Sequence, residues 1–392
     1  MERQGTGEVA EAGDTTGQGG IASWRARLDE RMASAGTWPG RSPWIREAVT
    51  ALPRDRFAPS RLWDWDGHAW QPVDRDSSPD RWAGLLYADQ HAPAVTQITA
   101  NLPTSSLSAQ ALVVDMLDSL QPEPGNQVLE LGTGMSAWNA ALLTWRTGPK
   151  TVTTVEADPR LSAAATVRLE HLGLHVTAVT GDGNAGCEAG APYDRVVATY
   201  AVERVPWAWI AQCRPGGRLV VPWGRLGHVA LTVADDHTHA QGWFQGLAQF
   251  MPDRTAPSHP HRAYAEVRGH REPDGERPLR RDLTPLGADW GLRFHLRVAL
   301  PEVELTTAAD GDGTSAWIHD GRSWASLSTK AHGVFAHQGG PRRLADELES
   351  AWDQWSVLGS PSVYDYGMTV TADGQWVWAL DAETGPRWRT TP

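Results

Sequence analysis

The feature that most narrows the fold is an alternation of short apolar runs with helix-period segments between residues 109 and 221. Leu112, Met116, Leu117 and Leu120 share one helical face, and Pro122 with Gly125 ends it. Val128-Leu129-Glu130-Leu131 reads as a short buried strand, Trp138 to Leu143 as a helix, and Thr151 to Glu156 as a second strand. Asp158 suits an N-cap, because its carboxylate can accept from free N–H groups of the first turn, and Pro159 suits the first helical position. Arg160 to Leu172 is expected as a helix stopped by Gly173, with further strands at Val176 to Thr180, Asp194 to Thr199 and Arg218 to Val221. Pro206 opens a helix between the last two strands. Strands joined through helices run parallel with right-handed crossovers, so the expected class is α/β with a doubly wound, mostly parallel sheet.

The flanks lack this rhythm. Residues 1–20 are polar and glycine-rich, with nothing to offset the entropy of ordering, and are expected to be disordered. Residues 21–105 read as an N-terminal cover: one helix through Trp24, Leu28 and Met32, a second through Trp44, Ala48 and Leu52, then an irregular packed stretch over 53–105. The core is expected over 106–228. Residues 229–392 form an α+β C-terminal extension with β-like runs at Phe294 to Leu300 and Trp376 to Leu380. A helix through Leu344, Leu348, Trp352 and Trp355 is closed by Gly359, its tryptophans read as core.

Composition excludes several function classes. A formal net charge of −12 with no basic patch argues against nucleic acid or an anionic membrane as partner. No run is apolar enough to span a bilayer or serve as a secretory signal, and the cysteines Cys187 and Cys213 have neither disulfide nor zinc spacing. A cytoplasmic protein without a metal is expected. His259-Pro260-His261 reads as an exposed loop, and Asp310-Gly311-Asp312-Gly313, which lacks the closing acid of a calcium loop, as a turn.

In an open parallel sheet, ligands sit at the carboxyl ends of the strands. Three strand ends carry suitable groups. Gly132-Thr133-Gly134 allows close backbone approach, Glu156 can accept from the two hydroxyls of a ribose, and Asp182-Gly183 can accept from an exocyclic amine such as that of adenine. Any one of them alone reads better as a turn or a solvated acid; the set in register points to an adenosine-containing cofactor. A dinucleotide fingerprint wants a third glycine, and Gly134-Met135-Ser136-Ala137 does not supply it.

Val128 to Gly134 followed by Trp138 to Leu143 resembles the first motif of the protein-L-isoaspartate O-methyltransferases. The resemblance continues through Val152 to Pro159, Gly181-Asp182-Gly183, Ala191 to Val196 and Pro215 to Pro222, with Pro53 to Phe57 and Tyr87-Ala88-Asp89 upstream. It covers roughly residues 50–225 and implies a Rossmann-like methyltransferase sheet, S-adenosylmethionine as methyl donor and a peptide carboxylate as acceptor. Carried across, it gives Glu130, Gly132, Thr133, Gly134, Glu156, Ala157, Asp182 and Gly183 as cofactor-binding residues. Thr104 to Ser108 stands where the family has a hydroxyl-bearing segment beside the acceptor, which makes Ser106 and Ser108 the catalytic candidates. The sequence departs from the family at Ser136, where a glycine is usual, at Ala109-Gln110, where a proline is usual, and in the whole extension from about 228. Long tryptophan-rich forms resemble methyltransferases that act on ribosomally made, modified peptides in actinobacteria, where an aspartate methyl ester collapses to an aspartimide.

A carboxylate is ionised at neutral pH, so its methylation needs positioning rather than a general base. Ser106 and Ser108 could orient it through hydroxyl donors, or could merely cap the helix that starts near Ala109. Arg54 or Arg56 could supply a charged partner. The alternatives are a general isoaspartate repair enzyme and a non-catalytic scaffold that binds cofactor or peptide.

Overall fold

The computed structural model describes residues 20–224, 226–255, 262–330 and 332–390. The disorder expected for residues 1–20 falls, Gly20 apart, outside them, as does His259-Pro260-His261. Two helices come first, α1 (Ile21–Ser34) and α2 (Trp44–Ala51), with Leu28, Met32, Trp44 and Ala48 buried as their spacing predicts. The stretch expected to be irregular is instead a four-stranded antiparallel sheet: β1 (Arg61–Trp65), β2 (Trp70–Asp74), helix α3 (Pro79–Tyr87), β3 (Ala94–Thr99) and β4 (Leu102–Leu107), in the order β2-β1-β3-β4. The alternation was invisible because β1 and β2 bury one residue each, Leu62 and Val73, and leave their tryptophans partly exposed.

The α/β core follows as read. It comprises α4 (Gln110–Leu120), β5 (Val128–Leu131), α5 (Trp138–Thr147), β6 (Val152–Glu156), α6 (Pro159–His171), β7 (Thr177–Thr180), β8 (Tyr193–Ala198), α7 (Trp207–Ala211) and β9 (Cys213–Trp223). Asp158 accepts from Arg160 N and caps α6 as expected. Strands β9, β8, β5, β6 and β7 lie parallel in that order. Alternate residues face opposite cores: Val128, Val152, Val197 and Val220 pack toward α4 and α5, while Leu129, Val155, Val196 and Leu219 pack toward α7.

β10 (Gly227–Val233) and β11 (His239–Leu247) continue the same sheet antiparallel to β9, so the boundary expected at 228/229 falls inside a strand. The extension then runs α8 (Tyr264–Arg268), β12 (Gly275–Leu279), α9 (Thr284–Ala288), α10 (Trp290–Ala299), β13 (Glu304–Asp310), β14 (Gly313–His319), β15 (Trp324–Lys330), β16 (Gly333–Gly339), α11 (Leu344–Val357), β17 (Tyr366–Thr371), β18 (Gln375–Ala379) and β19 (Arg387–Arg389). Strands β17, β18 and β19 pair onto β11, giving one ten-stranded sheet, while β12 to β16 form a separate five-stranded antiparallel sheet.

Phe294 to Leu300, expected to be β-like, lies mostly in helix α10, which Asp289 caps by accepting from Leu292 N. Its Phe294 and Val298 pack into the core of the large sheet, and its Leu292 and Leu296 into that of the small one. Its buried apolar residues, Leu292, Phe294, Leu296 and Val298, fall at alternate positions, a pattern that reads as a strand in sequence. Trp352 and Trp355 are core residues of the small-sheet layer, and the aspartate–glycine run is the β13–β14 turn, with Asp310 Oδ1 accepting from Asp312 N and Gly313 N.

Candidate functional site

The carboxyl ends of β5, β6 and β7 meet as the strand-end reading predicts. After β5, Gly132 adopts φ +95°, and a Cβ there would lie 2.5 Å from Thr199 Oγ1 and 2.9 Å from Tyr200 Cδ1, so only glycine fits. Gly134 N donates to Glu156 Oε2 at 2.8 Å, and Asp158 N to Glu156 Oε1 at 3.1 Å. Two backbone donors thus fix the Glu156 carboxylate, which is only 6% exposed and lines the cavity described below.

Glu130 sits deeper, 1% exposed. Its oxygens accept from Asn139 Nδ2 at 2.9 Å and Thr154 Oγ1 at 2.5 Å, and Thr154 in turn meets Thr133 Oγ1 at 2.6 Å. Burial pushes the Glu130 carboxyl up to about 7 although these donors oppose the shift. Glu130 therefore braces the glycine turn through a threonine pair from a place on the cavity lining. Ala157 is exposed on the cavity lining and Gly183 is buried there, with its carbonyl accepting from Trp209 Nε1 at 2.8 Å. Asp182 stands beside the lining rather than on it, exposed, accepting from Asn184 N at 2.9 Å and Thr255 Oγ1 at 3.2 Å.

One cavity of about 770 Å³ joins these groups to Thr104 through Ser108. Ser106 and Ser108 both line it, as does Ser105, whose Oγ lies 3.6 Å from where a Cβ of Gly134 would be. The serines belong to β4 and the turn after it, and α4 starts behind Ala109 without a side-chain cap, so helix capping does not account for them. Arg54 is not a partner for a ligand carboxylate. It is fully buried, donating to the carbonyls of Leu86, of Leu107 at 3.2 Å and of Ser108 at 2.7 Å, with its guanidinium 5.6 Å over the Trp138 ring. Burial lowers it to about 10, so it stays charged at neutral pH and anchors the serine segment. Arg56 is exposed and off the lining.

The rest of the wall was not foreseen. Tyr200 follows β8 and belongs to the same strand-end set, so the rule that found Glu156 could have found it. Gln249 to Thr255, Trp290 and Tyr364 come from the extension and carried no sequence signal. The segment is held to the strand end by Ala201 N donating to Met251 O at 2.9 Å and Asp253 N donating to Ala201 O at 3.0 Å. It places Arg254 Nη1 at 3.5 Å from Glu156 Oε1 and 3.9 Å from Asp158 Oδ2. Among the described residues no cluster of three or more His, Cys, Asp or Glu could hold a metal, and no helix is long and apolar enough to cross a membrane.

Residues 40–245 match the family described as Protein-L-isoaspartate(D-aspartate) O-methyltransferase (PCMT). A Protein-L-isoaspartate O-methyltransferase of Ignicoccus hospitalis is 40% identical over 180 residues, spanning 45% of this chain and 72% of the relative. One of Staphylothermus marinus is 33% identical over 192 residues, spanning 47% and 73%. A solved protein-L-isoaspartate O-methyltransferase aligns over 91% of this chain and 100% of its own with 20% identity and a TM-score of 0.47, a distant likeness beside the sequence matches.

Proposed function

The chain belongs to the protein-L-isoaspartate O-methyltransferase family, and from that membership we propose that it moves a methyl group from S-adenosylmethionine to a carboxylate of a peptide. The residues present fit such a donor. The Glu156 carboxylate, held by two backbone N–H groups at a strand end, is a fixed acceptor for vicinal hydroxyls, and Gly132 and Gly134 keep the turn free of side chains. A cavity of about 770 Å³ is within the range that encloses a molecule of that size. Bound there, the cofactor supplies an electrophilic methyl on a sulfonium.

The protein's part is to bring in an anion and orient it. Ser106 and Ser108, with Ser105 beside the glycine turn, supply hydroxyl donors that hold the acceptor carboxylate without taking its proton. Arg54 fixes that segment from behind through the carbonyls of Leu107 and Ser108. Enclosure strips water from the nucleophilic oxygen, and orientation of this kind is worth up to about 7–11 kcal/mol in well-ordered intramolecular reactions.

The finer reading is a dedicated peptide substrate, of the modified ribosomal kind, whose aspartate ester closes to an aspartimide as the next backbone nitrogen displaces methanol. One observation carries it: Phe250, Arg254, Trp290 and Tyr364, all beyond the matched residues 40–245, wall the cavity and narrow what can enter. General isoaspartate repair is the second reading, favoured by the match over the core itself. A panel of unrelated isoaspartyl and aspartyl peptides, followed by mass spectrometry, separates them. The dedicated enzyme esterifies few of them and leaves its product one water lighter than the starting peptide. Even esterification of all the isoaspartyl peptides, with aspartyl ones ignored, would make it a repair enzyme.

A further inference from the structure

Away from the glycine turn the cavity runs along one face of α4, past Ser108, Leu112, Asp115 and Asp118, toward Tyr364. Its lining is acidic. Asp115, Asp118, Glu130, Glu156 and Asp253 face a single guanidinium, Arg254, among the described lining residues. Asp118 is paired with Arg41, Glu156 faces Arg254, burial raises the Glu130 carboxyl and the proposed sulfonium sits by the glycine turn. Along α4 the charge that an acceptor peptide meets is therefore that of Asp115, which positive charge on the peptide would offset.

Asp115 is where that charge can sit. Arg41 is committed to Asp118, with Nε 2.8 Å from both oxygens, and no described residue donates a hydrogen bond to Asp115. Asp115 Oδ2 lies 3.4 Å from Nε2 of His228, a side chain 0% exposed whose two ring nitrogens both lack a hydrogen-bond partner, although the Gly246 backbone is close. Burial pushes His228 down to about 4, so it is neutral at pH 7 and adds no charge beside the aspartate, and the Arg41 charge that reaches Asp115 is already bound to Asp118. Gly246 opens the space: a Cβ there would lie 3.3 Å from Asp115 Oδ2, 3.3 Å from His228 Cε1 and 3.8 Å from Tyr364 Oη. Three polar side chains therefore converge on one spot that a methyl group would fill.

We propose that Asp115, with Tyr364 and the glycine gap at Gly246, seats a lysine or arginine side chain of the peptide substrate. Ser108 precedes α4 by two non-helical positions and Asp115 lies five residues into the helix from Gln110, about 7 Å at the helical rise plus the turn, on the order of 10 Å in all. An extended peptide covers that in about three residues, which sets the spacing between the cation and the methylated carboxylate. This rests on the peptide-carboxylate reading above.

The test uses the full chain with S-adenosylhomocysteine and two isoaspartyl peptides, identical except for lysine or norleucine three residues from the acceptor. Equilibrium binding is measured for each, and methyl transfer separately. The wild type should bind the lysine peptide about tenfold more tightly, a preference of about 1.4 kcal/mol. Asp115→Asn, isosteric at a half-exposed side chain, and Gly246→Ala, which fills the gap, should each reduce the preference to less than about twofold. Equal binding of the two peptides by the wild type, binding of neither, or an undiminished preference in Asp115→Asn overturns the inference. Preference without methyl transfer to any peptide counts against the proposed reaction while leaving the cation seat standing. Methyl transfer without preference sinks the seat alone.

Discussion

Glu156 is the residue on which the proposed cofactor recognition turns, because two backbone donors fix it and it is buried at the edge of the cavity. Glu156→Ala should weaken S-adenosylhomocysteine binding by at least about tenfold in calorimetry, the loss expected for hydrogen bonds to a charged group. Unchanged affinity would remove Glu156 from the account. His228 gives a second residue-scale outcome. Its folded value, about 4, lies below its ordinary 6.5, so between those values the unfolded chain binds the extra proton and stability falls as pH drops. The limiting slope is about 1.4 kcal/mol per pH unit. His228→Leu, which removes an unpartnered buried ring, should flatten the fall in urea midpoint from pH 6.5 to 4.5, and a curve parallel to that of the chain with His228 would show that His228 does not titrate there. Asp115, raised to about 6, works in the opposite sense and touches His228, so both chains in this comparison carry Asp115→Asn.

Among the elements, those whose residues alternate or recur on one face were legible. β5, β6, β8 and α6 sit within a residue or two of their sequence-based limits, because each strand carries a short buried apolar run and α6 is bracketed by Asp158-Pro159 and Gly173. Elements that bury little, such as β1 and β2, or whose apolar residues mimic the period of another element, such as α10, were not. α10 is the joint between the two cores, with Phe294 stacked edge-on against Phe244 at 4.8 Å and Tyr366 at 5.1 Å. Phe294→Ala should cost about 3–5 kcal/mol, as other buried phenylalanines do, and loosen both layers together. Hydrogen exchange that rose in the large sheet alone would show that the layers are independent. The candidate site divides along the same line. Its strand-end residues follow from topology, whereas Trp290, Tyr364 and Arg254 arrive through long-range packing that no local pattern encodes.

At the scale of the whole molecule, the extension completes the core rather than hanging from it. Tyr366, Met368, Val370 and Val377 are buried in the same cluster as Leu129, Val196 and Leu219, and β17 pairs with β11 over His239–Trp243. A chain cut after residue 245, where the family match ends, leaves that strand edge and apolar face bare. It should be insoluble or lack a cooperative thermal transition; a stable, monomeric fragment would show that the match alone is a folding unit. The same extension gives the cavity part of its wall, so the large-sheet core and the cavity draw on one extension. The central claim, methyl transfer to a peptide carboxylate, is tested most directly by incubating the full chain with methyl-labelled S-adenosylmethionine and aspartyl and isoaspartyl peptides, then treating the product with mild alkali. Label on the peptide that alkali releases as methanol is the outcome expected of a carboxyl ester. Absence of label, or label that alkali leaves in place, would contradict it.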